Sequence, residues 1–337
     1  LRYVLPEWNG WKMNAGVGGM YQKSENLGEE FLIPAYNRQD CGAFALANYQ
    51  PNNTLQLSGS LRYDFGHIHS RGHGSDVQEV DRNFHDYSLS LGVEYEPANG
   101  QKLRASIGRA FRLPSVNELT SNGVHHGAFR HEKGDSSLVS EQGWQLDLSY
   151  TLSHTDWELS LSPFYSYYPH FIALHPTGRW SMLPDAGQVY QYVDAPTTLA
   201  GGELHIKARV WRNLHYTFTG EYVYTFDHNS HTATPFSPPA SMHNTLSWEA
   251  LHWRCYAECQ SVAPQHRVCH NEMDTPGYHL FHIGGSVDFH LHERKLTLLM
   301  HVRNLFDTPY LNHLNFYRRI ELPEAGIDVQ TTLRLNF

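Results

Sequence analysis

Long apolar runs are missing from this chain. No stretch of about 18 consecutive apolar residues occurs, which excludes a helical membrane bundle. Cysteine is scarce: Cys41, Cys255, Cys259 and Cys269 are the only four, and no CxxC pair exists. That supports neither a zinc ribbon nor a dense disulfide framework. Charge of either sign is modest, and the net charge is −9 with His neutral, so nucleic acid is not an expected partner. The start LRYVLPEWNGW has no basic segment and no apolar core, hence no secretory leader. An exported protein needs one, so residues upstream of Leu1 are expected in the native protein.

Aromatics and histidine are plentiful. The 337 residues include 20 Tyr, 16 Phe, 8 Trp and 24 His. Aromatics favour strands and form the girdles of membrane barrels. Imidazole is the commonest metal-ligand side chain. A mean hydropathy of −0.50 looks soluble, yet a barrel strand shows lipid only one of its faces.

Period-two alternation recurs along the chain. In 213–226, Leu214, Tyr216, Phe218, Tyr222, Tyr224 and Phe226 share one face, against His215, Thr217, Thr219, Glu221 and Thr225. In 53–66, Leu55, Leu57, Leu61, Tyr63 and Phe65 oppose Gln56, Ser58, Ser60, Arg62 and Asp64. Strands are predicted at 10–22, 38–50, 53–66, 84–97, 99–111, 141–153, 155–170, 188–210, 213–226, 240–251, 252–264, 277–290, 294–303 and 326–337. Tight turns near 50–53, 97–100, 153–155, 211–213, 251–253 and 290–294 alternate with long connections at 23–37, 67–83, 112–140, 171–187, 227–239, 265–276 and 304–325. This rhythm puts short turns at one rim and long loops at the other, as in outer-membrane barrels. The fold class is therefore all-β, a transmembrane antiparallel β-barrel, with about fourteen strands forming one unit over 1–337.

RAFRLP at 109–114, followed by GDSSLVSE at 134–141, resembles the paired boxes of TonB-dependent outer-membrane receptors. The family pattern is an aromatic-Arg-Ala-Pro box and then an Asn-Pro-Asn-Leu box. Here Leu113 replaces Ala, and Asp135-Ser136-Ser137-Leu138 keeps part of the second box. WKMNAGVGGMYQ (11–22), YQYVDAPTTLAGGELHIKA (190–208), HVRNLFDTPYLNH (301–313) and the tail ending in Phe337 are similar to the same family. The resemblance implies the C-terminal part of a barrel of about 22 strands, with the plug domain absent from this chain. It also implies a transporter driven through TonB by way of that plug, with no chemistry on the ligand. The expected location is the bacterial cell outer membrane, among lipid and lipopolysaccharide, and Phe337 is where the barrel assembly machinery would bind.

Three clusters are candidate ligand sites. The first lies between the two boxes: His125, His126, His131, Glu118 and Glu132, with Arg112 at its edge. Imidazole and carboxylate suit Zn²⁺ or haem iron, and otherwise belong to a solvated loop. The block resembles the corresponding loop of zinc-type receptors, while haem-type receptors also place a functional His there. The second is His67, His69 and His73. The third is His266, Cys269 and His270, where Zn²⁺, a Cys259–Cys269 disulfide and free thiols are all open. The histidines of strands and turns (His205, His215, His243, His252, His279, His282, His290, His292, His301) are read as lumen or rim residues. Arg109 and Arg112, flanking Phe111, are candidates for lipopolysaccharide phosphates or the ligand vestibule.

No nucleophile–base set with a supporting motif is present, so an enzyme is not expected. The reading is uptake of a scarce metal nutrient, zinc first. The alternatives are haem, a ferric siderophore, or a plug-less passive pore. Zinc or the iron chelate would be cargo, not a catalytic cofactor.

Overall fold

The computed structural model describes residues 1–27, 32–72, 79–291 and 294–336. In chain order the strands are β1 Arg2–Val4, β2 Trp11–Ser24, β3 Tyr36–Asn52, β4 Leu55–Ser70, β5 Val80–Ala98, β6 Gln101–Arg112, β7 Asn122–His125, β8 Arg130–Lys133, β9 Glu141–Ser153, β10 Trp157–Trp180, β11 Gln188–Trp211, β12 Leu214–Asp227, β13 Ser241–Glu249, β14 Trp253–Val262, β15 Tyr278–Leu291, β16 Arg294–Arg303 and β17 Asp328–Asn336. One short helix, α1 Val116–Thr120, precedes β7. Of these seventeen strands, β1, β7 and β8 have only three or four residues, which leaves the expected fourteen long ones. The three extra strands are too short to show alternation, and two of them lie inside the longest loop.

The long strands pair antiparallel in chain order from β2 through β6, on to β9, and through to β17. Cross-strand register shows how the faces are used. Leu61 pairs with Leu89 and Tyr63 with Tyr87, while Leu161 pairs with Tyr150 and Tyr222 with Gly202. Leu91 pairs with Ile107 on the same outward face, and much of this row stays exposed: Leu61 by 56%, Leu91 by 62% and Ile107 by 46%. A soluble protein would bury such a row, whereas a membrane barrel turns it to lipid.

Two aromatic girdles bound this band. Trp11 stacks on Tyr49 at 4.5 Å, and Trp211 meets Trp248 at 6.0 Å, both beside tight turns. Tyr63, Tyr87, Tyr165, Tyr222 and Tyr224 mark the opposite level. The inner face is polar and paired: Lys102 Nζ lies 3.0 Å from Glu94 and 2.7 Å from Glu96, and Ser241 donates to Glu221 at 2.6 Å.

One expectation changes. The long loop predicted at 171–187 is mostly strand, because β10 and β11 have 24 residues each. At ~3.3 Å per residue this hairpin greatly exceeds what the hydrocarbon layer needs. It leaves the wall at a register shift between Tyr168 and Phe171. Beyond it, β8 pairs parallel with β11, Gln188 opposite Arg130, which supplies backbone partners outside the barrel. The main buried core lies at this loop end of the molecule. Val116 and Leu119 of α1, with Leu138, pack on Ile68, Val80, Phe84 and Ile172.

Candidate functional site

The longest loop, 113–140, is a folded unit. At its base, Arg112 Nε and Nη2 donate to the two oxygens of Glu141 at 2.9 and 3.0 Å, and Nη1 donates to Glu118 at 2.8 Å. Glu118 also accepts the Ser115 N–H at 2.8 Å and so caps α1. The second box secures the far end: the Asp135 N–H donates to the Glu118 carbonyl at 2.7 Å, and Asp135 Oδ1 accepts the Ser137 N–H at 2.8 Å. The two boxes thus meet through Glu118. Arg112 is engaged in this anchor, with its side chain still 40% exposed.

The hairpin of β7 and β8 separates the remaining candidates. Glu132 is 2% exposed. Its carboxylate meets His125 Nδ1 at 2.8 Å, Arg130 Nε at 2.5 Å and the Tyr192 hydroxyl at 3.3 Å. His131 is buried, with Nδ1 2.9 Å from Ser181 Oγ and Nε2 2.9 Å from Asn122 Oδ1. Burial, assisted by Lys133, holds its pKa below the ordinary imidazole value. Both ring nitrogens are therefore used in structure. His125 and His126 sit exposed at the hairpin tip.

His67 and His69 share the outward face with Leu61, Tyr63 and Phe65, just past the aromatic level. His67 Nδ1 lies 3.0 Å from Asn83 Oδ1, and His69 Nδ1 lies 3.3 Å from Asp81. The two-residue spacing does align them, but on the wall opposite the lumen. The sequence shows that two residues share a face, and only the strand's place in the barrel shows which face. His73 lies outside the described residues, as do His292, Phe337 and the His290 side chain. His205, His215, His243, His282 and His301 point inward, and His279 points outward.

All four cysteines are free thiols, so the Cys259–Cys269 bridge does not form. Cys259 faces outward on β14, whereas Cys269 is buried among the loops. His266 turns to Asp274 at 3.0 Å. Cys269 instead joins a buried knot: its N–H donates to Glu272 Oε2 at 3.2 Å, and Glu272 Oε1 lies 2.5 Å from Arg318 Nη2 and 3.7 Å from His313 Nε2. Among the described residues no group of three or more His, Cys, Asp or Glu is arranged to hold a metal ion. Arg109 is likewise taken up, paired with Asp86 at 2.8 Å where β6 parts from β5.

The structure adds a pocket of about 360 Å³ at the loop end, lined by Phe129, Trp180, Gln188, Phe316, Tyr317 and Arg319 among others. Three connections converge there. The Tyr317 hydroxyl donates to the Gly127 carbonyl at 2.7 Å, and its ring meets Phe129 at 6.2 Å. Arg319 donates to the Tyr190 hydroxyl at 2.7 Å, and the Arg130 guanidinium lies 4.3 Å over Phe316. Trp180 is 75% exposed. Phe129 has φ of +47°, uncommon for a bulky residue, and is held there by the hairpin tip. None of these residues stands out from strand alternation. The run Phe316-Tyr317-Arg318-Arg319, aromatic and basic within a loop, was the available signal.

The β-barrel model described as TonB dependent receptor-like matches residues 5–305. Among solved structures, the copper transporter OprC superposes with a TM-score of 0.82 at 19% identity, over 97% of this chain and 55% of that one. The FrpB iron transporter from Neisseria meningitidis gives 0.71 at 14% identity, over 98% and 53%. The Serratia marcescens hemophore receptor HasR, solved with HasA and heme, gives 0.71 at 18%, over 98% and 57%. The rhizobactin receptor of Rhizobium meliloti is 22% identical over 163 residues, 42% of this chain and 22% of that protein. This chain therefore spans little more than half of the solved receptors it matches. Outward apolar band, polar lumen, short turns, long loops and the matched model agree: the chain belongs to the TonB-dependent receptor-like β-barrels of the bacterial outer membrane.

Proposed function

We propose that this chain is the C-terminal part of the barrel of a TonB-dependent uptake receptor, and that its cargo is a flat, anionic metal chelate, haem above all. The observation that carries this is the mouth pocket. Phe129, Trp180, Phe316 and Tyr317 offer aromatic surface to a planar ligand, and Arg319 offers charge to its carboxylates. His126, exposed on the adjoining tip, supplies an imidazole of the kind that ligates haem iron. In this reading TonB acts through an N-terminal plug, and the last strand carries the signal for barrel assembly.

Zinc is the second reading. It rests on the exposed pair His125 and His126, with Glu132 against His125 Nδ1 at 2.8 Å, while His131 is engaged within the hairpin. The test is titration of the full-length receptor with haemin, a ferric catecholate and Zn²⁺. Haemin is expected to bind, and His125→Ala with His126→Ala, or Trp180→Ala, to weaken it by at least about tenfold. Zn²⁺ binding that the double substitution abolishes, with no haemin binding, would replace haem by zinc.

A further inference from the structure

A groove lies on the outside of the wall. It encloses about 750 Å³, within the usual range for small-molecule pockets. Its floor is a diagonal of small outward residues: Gly202, Gly220, Ala240, Ala263 and Gly277. Register sets them side by side, with Gly220 between Leu204 and Met242 on the neighbouring strands. Leu161, Leu204, Phe218, Tyr222 and Met242 form the walls. Large outward side chains such as Leu61, Tyr63, Leu91 and Ile107 stand on the neighbouring wall. Here the small residues leave a furrow in it.

Depth in the membrane identifies the occupant. Gly202 pairs with Tyr222 of the aromatic level opposite the tight turns, and Ala240, Ala263 and Gly277 adjoin the long-loop ends of β13, β14 and β15, so the groove lies in the half of the wall nearer the long loops. That half faces the outer leaflet. The groove ends in polar groups, where His279 Nδ1 lies 2.9 Å from Ser261 Oγ. Tyr224 is the next outward residue beyond Tyr222. The Arg267 guanidinium lies 3.9 Å over its ring and donates to the Thr225 carbonyl at 3.1 Å. An apolar furrow in the outer leaflet, headed by a fixed cation, matches a phosphorylated lipid with a chain to bury.

We infer that this groove holds one acyl chain of lipid A, with Arg267 meeting a phosphate of the same molecule. A Cβ on Gly220 would lie 3.0 Å from the Phe218 ring and 3.9 Å from Met242 Cγ, so a leucine there fills the furrow. The experiment compares the full-length receptor with its Gly220→Leu and Arg267→Ala variants, each checked for the folded, SDS-resistant barrel. Delipidated protein is exposed to lipid A or to phosphatidylethanolamine, washed with detergent, and bound lipid is counted by native mass spectrometry. The wild type is expected to retain lipid A and release phosphatidylethanolamine, with retention falling about tenfold in each variant. Arg267→Ala alters an exposed loop side chain and so reports even if the glycine variant misfolds. Equal retention of both lipids by the wild type, or undiminished lipid A in Arg267→Ala, overturns the assignment.

Discussion

Arg112, the last residue of β6, and Glu141, the first of β9, face each other across the ladder and close the neck of the longest loop through two hydrogen bonds of 2.9 and 3.0 Å. Glu141 Oε2 also accepts the Ile172 N–H at 2.8 Å. The pair thus ties the loop base to the hairpin that leaves the barrel. Arg112→Ala leaves two carboxylates, Glu141 and Glu118, without their cation. It is expected to cost roughly 1–3 kcal/mol of local stability, since the guanidinium is partly exposed and screened. Limited proteolysis should cut within 113–140 while the barrel stays folded. A loop as resistant as wild type would refute the anchoring role.

His131 and His126 should behave oppositely. His131→Ala removes the partner of both Asn122 and Ser181, each in the loop region, for about 1–3 kcal/mol. Hydrogen exchange at 122–133 is expected to accelerate. His126→Ala should leave that exchange unchanged and lower ligand affinity. If His131→Ala abolishes metal binding while the hairpin keeps its protection, His131 is a ligand instead.

Acid should loosen the loop knot around Glu272. His313 is 1% exposed, and burial, with Arg318 adding to it, pushes its pKa down to about 4, while Glu272 and Asp274 act the other way. The neutral ring is the folded form. Unfolding lets it take a proton at its ordinary value near 6.5. Its contribution is therefore complete above about pH 6.5 and is lost as the pH falls toward 4, on the order of 3 kcal/mol in total. Hydrogen exchange of 265–276 and 304–320 against pH reads this directly. A His313→Gln variant should flatten the profile, and an unchanged slope would assign it to other groups.

The thiols give a check that needs no ligand. Cys41 and Cys255 are exposed on the outward face, whereas Cys269 is 4% exposed and burial pushes its pKa up. A membrane-soluble maleimide should modify Cys41 and Cys255 in the folded barrel, and Cys269 only after denaturation. Mapping without reductant should find four unlinked cysteines. A Cys259–Cys269 peptide would contradict the loop arrangement.

Strand number, turn rhythm and the two faces of each strand were legible in the sequence, because side-chain direction alternates locally and lipid imposes one chemistry on one face. Leu61 and Leu89 are both apolar for that reason, whichever strand pairs with whichever. The alternation could not reveal that β10 and β11 continue past the membrane, since that depends on β8 docking beside Gln188. Nor could it sort the histidines. His67 and His69 read as a site until the strand's place in the wall turned them outward, and His131 read as a ligand until Asn122 and Ser181 arrived at its two nitrogens. Phe129, Trp180 and Tyr317 lie far apart in the chain and became a pocket only when three loops converged. A strand's periodicity is local, so sequence alone determines it. A loop site depends on which distant backbones meet, and only tertiary structure decides that.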